Sequence, residues 1–112
     1  MVASLGHSGA EADVARDAFA AGARMVTHLF NGMSGLDHRH PGVAAAALLD
    51  DAVTAGLIAD GVHVHPELVR LAFRTKGPGR IALVTDAVGW RAGTVGHLEI
   101  AHDGTAPRLA DG

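Results

Sequence analysis

The stretch ARMVTHLFNGM, residues 23–33, decides the fold. Residues 23–29 make a short apolar run of the kind a buried strand requires, and the run gives way at His28 to a loop through Asn31, Gly32, Met33, Ser34 and Gly35. The same figure recurs on both sides. Residues 2–5 lead into Gly6 and His7, residues 53–59 into Asp60 and Gly61, and residues 80–85 into Asp86.

Helix signals fill the intervals. Residues 11–21 place apolar side chains at Val14, Ala18 and Phe19, with Ser8 as an N-cap signal and Gly22 as a stop. Pro41 and Gly42 open an alanine-rich helix that runs to about Leu49. Pro66 stands where a proline belongs in a first turn, ahead of a helix over residues 67–74 that Lys76, Gly77, Pro78 and Gly79 terminate. Continuous apolar strands separated by helices on short loops predict the α/β class: a parallel sheet covered by helices on at least one face. After Gly93 the texture changes. Residues 94–100 and 106–109 are β-prone pieces around the turn signal His102, Asp103 and Gly104, which reads as a hairpin of a different layer.

Composition narrows the function classes. The chain has 112 residues, enough for one compact domain, and its 48% hydrophobic content is ordinary for a soluble globular protein. Nine basic against twelve acidic residues give a net charge of -3, which argues against nucleic acid as a partner. The absence of cysteine removes disulfides and thiolate metal sites and fits a reducing compartment, so the cytoplasm is expected. The apolar runs fall short of the ~20 residues that span a bilayer, so no membrane association is expected. Eight histidines stand out beside one Trp and no Tyr.

The placement of the ionisable residues carries the chemistry. His7, His28, His63 and Asp86 each lie at or just past the C-terminal end of a predicted strand. In a (β/α)8 barrel those ends converge on one face, where catalytic groups from different strands meet. Neutral imidazoles suit Zn²⁺ or a similar divalent ion with a position left open for water. An aspartate beside such an ion can take a proton from that water and return it to a leaving amine. His38, His40 and His65 read more simply as solvated loop residues, and residues 43–49 as a buried helix.

The segments GHS (residues 6–8), THLFNGM (27–33), HRHPG (38–42), GLIADGVHVHP (56–66) and LVTDA (83–87) together resemble the N-acetylglucosamine-6-phosphate deacetylase family of the amidohydrolase superfamily. The resemblance covers essentially the whole chain. It implies a partial (β/α)8 TIM barrel of about four βα units, strands five to eight, over residues 1–92, and the start of a small β-domain over residues 93–112. It implies His7 and His28 as metal ligands and Asp86 as general base and acid. Asn31 and Gly32 would present amide and backbone groups to a sugar phosphate, and His63 would hold the sugar hydroxyls or the phosphate. Arg39 matches the family arginine that reaches across a homodimer to the neighbouring subunit's substrate phosphate, a task for which a guanidinium's paired hydrogen bonds are suited. The metal implied is Zn, with Fe, Co or Mn as alternatives.

Three departures accompany the resemblance. The family's metal-binding glutamate and its H-x-H positions fall upstream of Met1, so the chain is expected to lack at least one metal ligand and to be inactive alone. His40 stands where the family usually has an acidic residue, and residues 88–93 differ from the family's alanine- and glycine-rich loop. The leading expectation is hydrolysis of the acetamide of N-acetylglucosamine 6-phosphate to glucosamine 6-phosphate and acetate. The alternatives are another amidohydrolase acting on a cyclic amide, and a non-catalytic half-barrel module.

Overall fold

The computed structural model describes residues 1–87 and the two short strands at 98–99 and 108–109. In chain order the elements are β1 (Ser4–Leu5), α1 (Ala12–Ala20), β2 (Met25–Val26), α2 (Gly42–Leu49), β3 (Thr54–Leu57), α3 (Pro66–Lys76), a 3-10 turn (Pro78–Arg80), β4 (Ile81–Leu83), β5 (Leu98–Glu99) and β6 (Arg108–Leu109). The first four strands form one parallel sheet in the order β1-β2-β3-β4, in register along the row Leu5, Val26, Ala55 and Ile81. The expected α/β class with a parallel sheet is therefore observed. β5 and β6 pair antiparallel, as the tail's hairpin reading requires. The turn at residues 102–104 and the loop at 88–93 lie outside the described residues.

The strands are shorter than the apolar runs suggested, because the backbone leaves the extended region at the residues that follow them. His7 has φ 49°, His28 φ 29° and Asp86 φ 52°, all in the left-handed region that costs an L residue about 1–3 kcal/mol. Single ladder bonds still extend the pairing: Thr27 N–H donates to Leu5 O at 2.7 Å, Leu29 N–H to Gly56 O at 2.7 Å and Val84 N–H to Leu57 O at 3.0 Å.

Each helix forms for a legible reason. α1 buries Ala12, Ala15 and Phe19, a three-and-four spacing that keeps one face on the core. Its N-cap is Glu11, not Ser8, whose hydroxyl instead accepts from Ala10 N–H four residues before the helix begins. Arg24 reaches back to the end of α1 and donates to Phe19 O at 2.7 Å, a cation on the helix's negative pole. α2 buries six of its eight residues, in accord with its all-apolar sequence. At the C-terminal end of α2, Lys76 donates from Nζ to Ala47 O and Asp50 O, so α3 caps its neighbour. α3 starts at Pro66 and is capped by His65, whose Nδ1 accepts from Glu67 N–H at 3.1 Å. His65, expected as a solvated loop residue, is thus a helix cap. The shared core joins Val26, Leu29, Val43, Ala47, Val53, Ala55 and Leu57, all essentially without solvent exposure.

Candidate metal and substrate site

The rim beyond the C-terminal ends of β1 and β2 holds the first cluster. His7 and His28 each lie two residues past residues paired across that sheet, Leu5 and Val26, so the register itself brings them side by side. Their Nε2 atoms are 3.0 Å apart and the rings meet edge to face with centroids 4.7 Å apart. His28 is buried, and its Nδ1 has no hydrogen-bond partner among the described residues.

The pair suits a shared cation. Two nitrogens ~2.05 Å from one tetrahedral ion would lie ~3.3 Å apart, close to the separation found here. Imidazole donors favour Zn²⁺ and neighbouring transition metals over Mg²⁺ or Ca²⁺. Among the described residues no group of three or more His, Cys, Asp or Glu side chains could hold a metal ion, so the two histidines supply two ligands and no third joins them. Asp86, three residues past the end of β4, is exposed and does not complete such a group.

The loop after β2 supports this pair. Gly32 sits at φ 61°, and a Cβ there would come within 2.9 Å of His7 Nδ1, so the missing side chain is what lets the loop lie against the imidazole. The Cα of Gly32 thus packs on His7. Asn31 folds back, its Nδ2 donating to Leu29 O at 3.4 Å. Ser34, which the sequence reading did not single out, ties three segments together. Its hydroxyl donates to Ala10 O at 2.8 Å and accepts from Val43 N–H at 3.0 Å, and its N–H donates to Ser8 O. Val43 N–H is one of the free donors in the first turn of α2, so Ser34 caps that helix from a distance. Gly42 next to it has φ 68°, and a Cβ there would strike the Ser34 side chain at 2.5 Å.

Arg39 is exposed on the following loop, whose bend is held by Asp37 Oδ1 accepting from the N–H groups of Arg39 and His40. These two bonds, largest first, hold the Asp37 carboxyl below its ordinary value despite a small opposing effect of burial. His40 stands beside Glu11, Nδ1 to Oε1 3.2 Å, so a second acidic group, from the residue before α1, meets this loop.

His63 belongs to a second cluster beyond β3. Asp60 Oδ2 is 2.6 Å from His63 Nδ1, while Oδ1 accepts from Val62 N–H at 2.8 Å and His63 N–H at 2.9 Å. Partial burial raises the Asp60 carboxyl, but the bonds from the His63 and Val62 backbones and the His63 ring outweigh it and leave the pKa lowered. Asp60 was also missed; the signal was the Asp-Gly-x-His spacing, in which a carboxylate can close a tight turn and reach the imidazole three residues on.

Comparison with known proteins comes to the same segments. The N-acetylglucosamine-6-phosphate deacetylase of Bacillus subtilis (strain 168) is 46% identical over 88 residues, 79% of this chain and 22% of that protein. The N-acetylgalactosamine-6-phosphate deacetylase of Shewanella sp. (strain ANA-3) is 46% identical over 87 residues, 78% of this chain and 22% of that protein. Among solved structures, a mutant N-acetyl-D-glucosamine-6-phosphate deacetylase from Mycobacterium smegmatis in complex with N-acetyl-D-glucosamine-6-phosphate superposes with a TM-score of 0.84 at 38% identity. That superposition covers 98% of this chain and 30% of the other. No protein-family model matches the chain. The chain is homologous to part of these deacetylases and spans about a quarter of the length of the curated relatives it matches.

Proposed function

We propose that the chain carries one sector of the catalytic face of a metal-dependent deacetylase that hydrolyses the acetamide of N-acetylglucosamine 6-phosphate. The observation that carries the reading is the opposed His7 and His28 Nε2 atoms, 3.0 Å apart at the ends of adjacent parallel strands. The unreversed strand order supports residues 1–92 as consecutive units of a (β/α)8 barrel, since successive crossovers of one hand in one direction place every helix on the same face. Residues 93–112 would begin a small β-domain.

His7 and His28 would hold a divalent ion, Zn²⁺ by donor type, and the group's contribution when bound is to acidify water and polarise the acetamide carbonyl. Around it the chain's own residues divide the work. Gly32 keeps the His7 ring in place through close backbone contact. Asp86, exposed at the rim, would accept the proton of the attacking water and deliver it to the departing amine nitrogen. Asn31, His63 and Arg39 would hold the phosphorylated sugar, Arg39 from the partner subunit of a homodimer, which suits its exposure on an ordered loop. The relative named for the galactosamine substrate makes the 4-epimer a second candidate substrate.

A chimera tests the reading. Residues 1–87 replace the homologous segment of the Bacillus subtilis deacetylase, and acetate release is measured from both sugar phosphates. Turnover of N-acetylglucosamine 6-phosphate that His28→Ala abolishes is expected. A folded, metal-loaded chimera that releases no acetate would overturn it.

A further inference from the structure

His7, His28 and Phe30 all hold left-handed backbone, at φ 49°, 29° and 76°. An L residue leaves that region unless its surroundings fix it there, so two loops that face each other in this state need a fastening. Ser34, half-buried on the second loop, is placed to supply it. Its N–H donates to Ser8 O at 3.0 Å, one residue past His7, and its hydroxyl donates to Ala10 O at 2.8 Å. The loop after β1 is thus gripped at two points. The same hydroxyl accepts from Val43 N–H at 3.0 Å, which ties the grip to the first turn of α2. Between His28 and Ser34 the chain is drawn in by Asn31 N–H donating to His28 O at 2.9 Å and by Gly32 lying against the His7 ring.

We infer that Ser34 is a positioning residue for the His7 and His28 pair: it clasps the loop after β1 to the loop after β2 and so keeps the two imidazoles opposed. A serine serving only as a helix cap would need the Val43 bond and neither of the bonds to residues 8 and 10. The inference rests on the reading that the two imidazoles hold a metal, and it adds a residue that acts through the loops rather than as a ligand.

The test compares two ways of loosening α2. Ser34→Ala removes the clasp's hydroxyl, whereas Lys76→Met removes the donor to Ala47 O and Asp50 O at the other end of the helix and leaves both loops alone. Co²⁺ titration of the full chain, followed by visible absorption, is expected to show affinity about tenfold lower in Ser34→Ala, the low end of the loss for an outer supporting partner, and unchanged in Lys76→Met. Equal affinities in wild type and a folded Ser34→Ala, or equal losses in the two variants, overturn the inference. Metal-free amide exchange of the wild-type chain supplies a second measurement, which decides even if Ser34→Ala fails to fold. Asn31, Ser34 and Val43 are expected to open together as one unit, distinct from the middle of α2. Independent opening of Asn31 and Val43 overturns the clasp. A wild-type chain whose three amides open together but which binds no Co²⁺ defeats the metal reading and upholds the clasp, so the two failures are told apart.

Discussion

His7 and His28 face each other through their Nε2 atoms across the boundary between β1 and β2, 3.0 Å apart, with the buried His28 ring bearing an Nδ1 that no described residue satisfies. The contact brings two good metal donors together and leaves a polar atom stranded. A divalent ion held by the two Nε2 atoms would give both nitrogens one partner.

Removing either imidazole should therefore weaken metal binding far beyond the effect of a surface histidine. His7→Ala and His28→Ala are each expected to lower Co²⁺ or Zn²⁺ affinity by at least the ~10–100-fold seen for loss of a supporting partner, since a direct ligand is removed. His38→Ala should change it little, as that ring is exposed and lies beside Asp37, away from the His7 and His28 pair. Equilibrium titration followed by the visible absorption of Co²⁺ makes the comparison; equal losses for all three variants would contradict the assignment.

Gly32→Ala is expected to cost about 1–3 kcal/mol through its left-handed backbone alone. The new Cβ must also displace the His7 ring, so metal affinity should fall even in the fraction that remains folded. Thermal denaturation and metal titration of one preparation separate the two effects. Unchanged affinity in the folded variant would show that His7 is not held by the glycine.

Ser34→Ala removes a hydroxyl that bridges Ala10 O and Val43 N–H. A loss of about 1–2 kcal/mol is expected, as for a helix cap. Amide exchange should accelerate at Val43, and the loop carrying Ser8 and Ala10 should lose protection with it. Acceleration confined to residue 34 would argue that the serine joins nothing.

The lowered pKa of Asp60 gives a pH dependence with a definite sign. A carboxyl whose folded-state pKa lies below its unfolded value adds stability above the unfolded pKa, and that stability is lost as pH falls through the folded one. Acid denaturation from about pH 4 downward should therefore be shallower in Asp60→Asn than in the wild type. Asp37 shifts in the same direction and contributes to the same window, so Asp37→Asn serves as a comparison. Identical acid profiles for wild type and Asp60→Asn would remove the carboxylate from the account.

Much of this was legible from particular residues. The runs ending at His7, His28 and Asp86 gave a parallel sheet and its rim, because a strand buried on both faces must be apolar throughout and must then break where a polar side chain is presented. Pro66 placed a helix start correctly. What escaped was set by distance along the chain. Ser34 caps a helix that begins eight residues later, and no local pattern announces that its hydroxyl will reach Val43. Ser8 carries the local cap signal without performing the task, because its hydroxyl is already engaged by Ala10 N–H. His65 reads as a solvated loop residue and is exposed, yet its side chain directly before Pro66 also accepts from Glu67 N–H. The roles of Asp86, Asn31 and Arg39 depend on a bound substrate and rest on the proposal.

The unbroken order of β1 to β4 has a consequence for how such a surface changes over time. Each strand hands one loop to the rim and each helix returns the chain to the opposite end, so a ligand-facing loop can be exchanged without altering the pairing of the next strand. Asp60 and His63 travel together as a cassette on one such loop, independent of the pair on β1 and β2. Replacing the loop after β3 should therefore leave the register that sets His7 beside His28 unchanged.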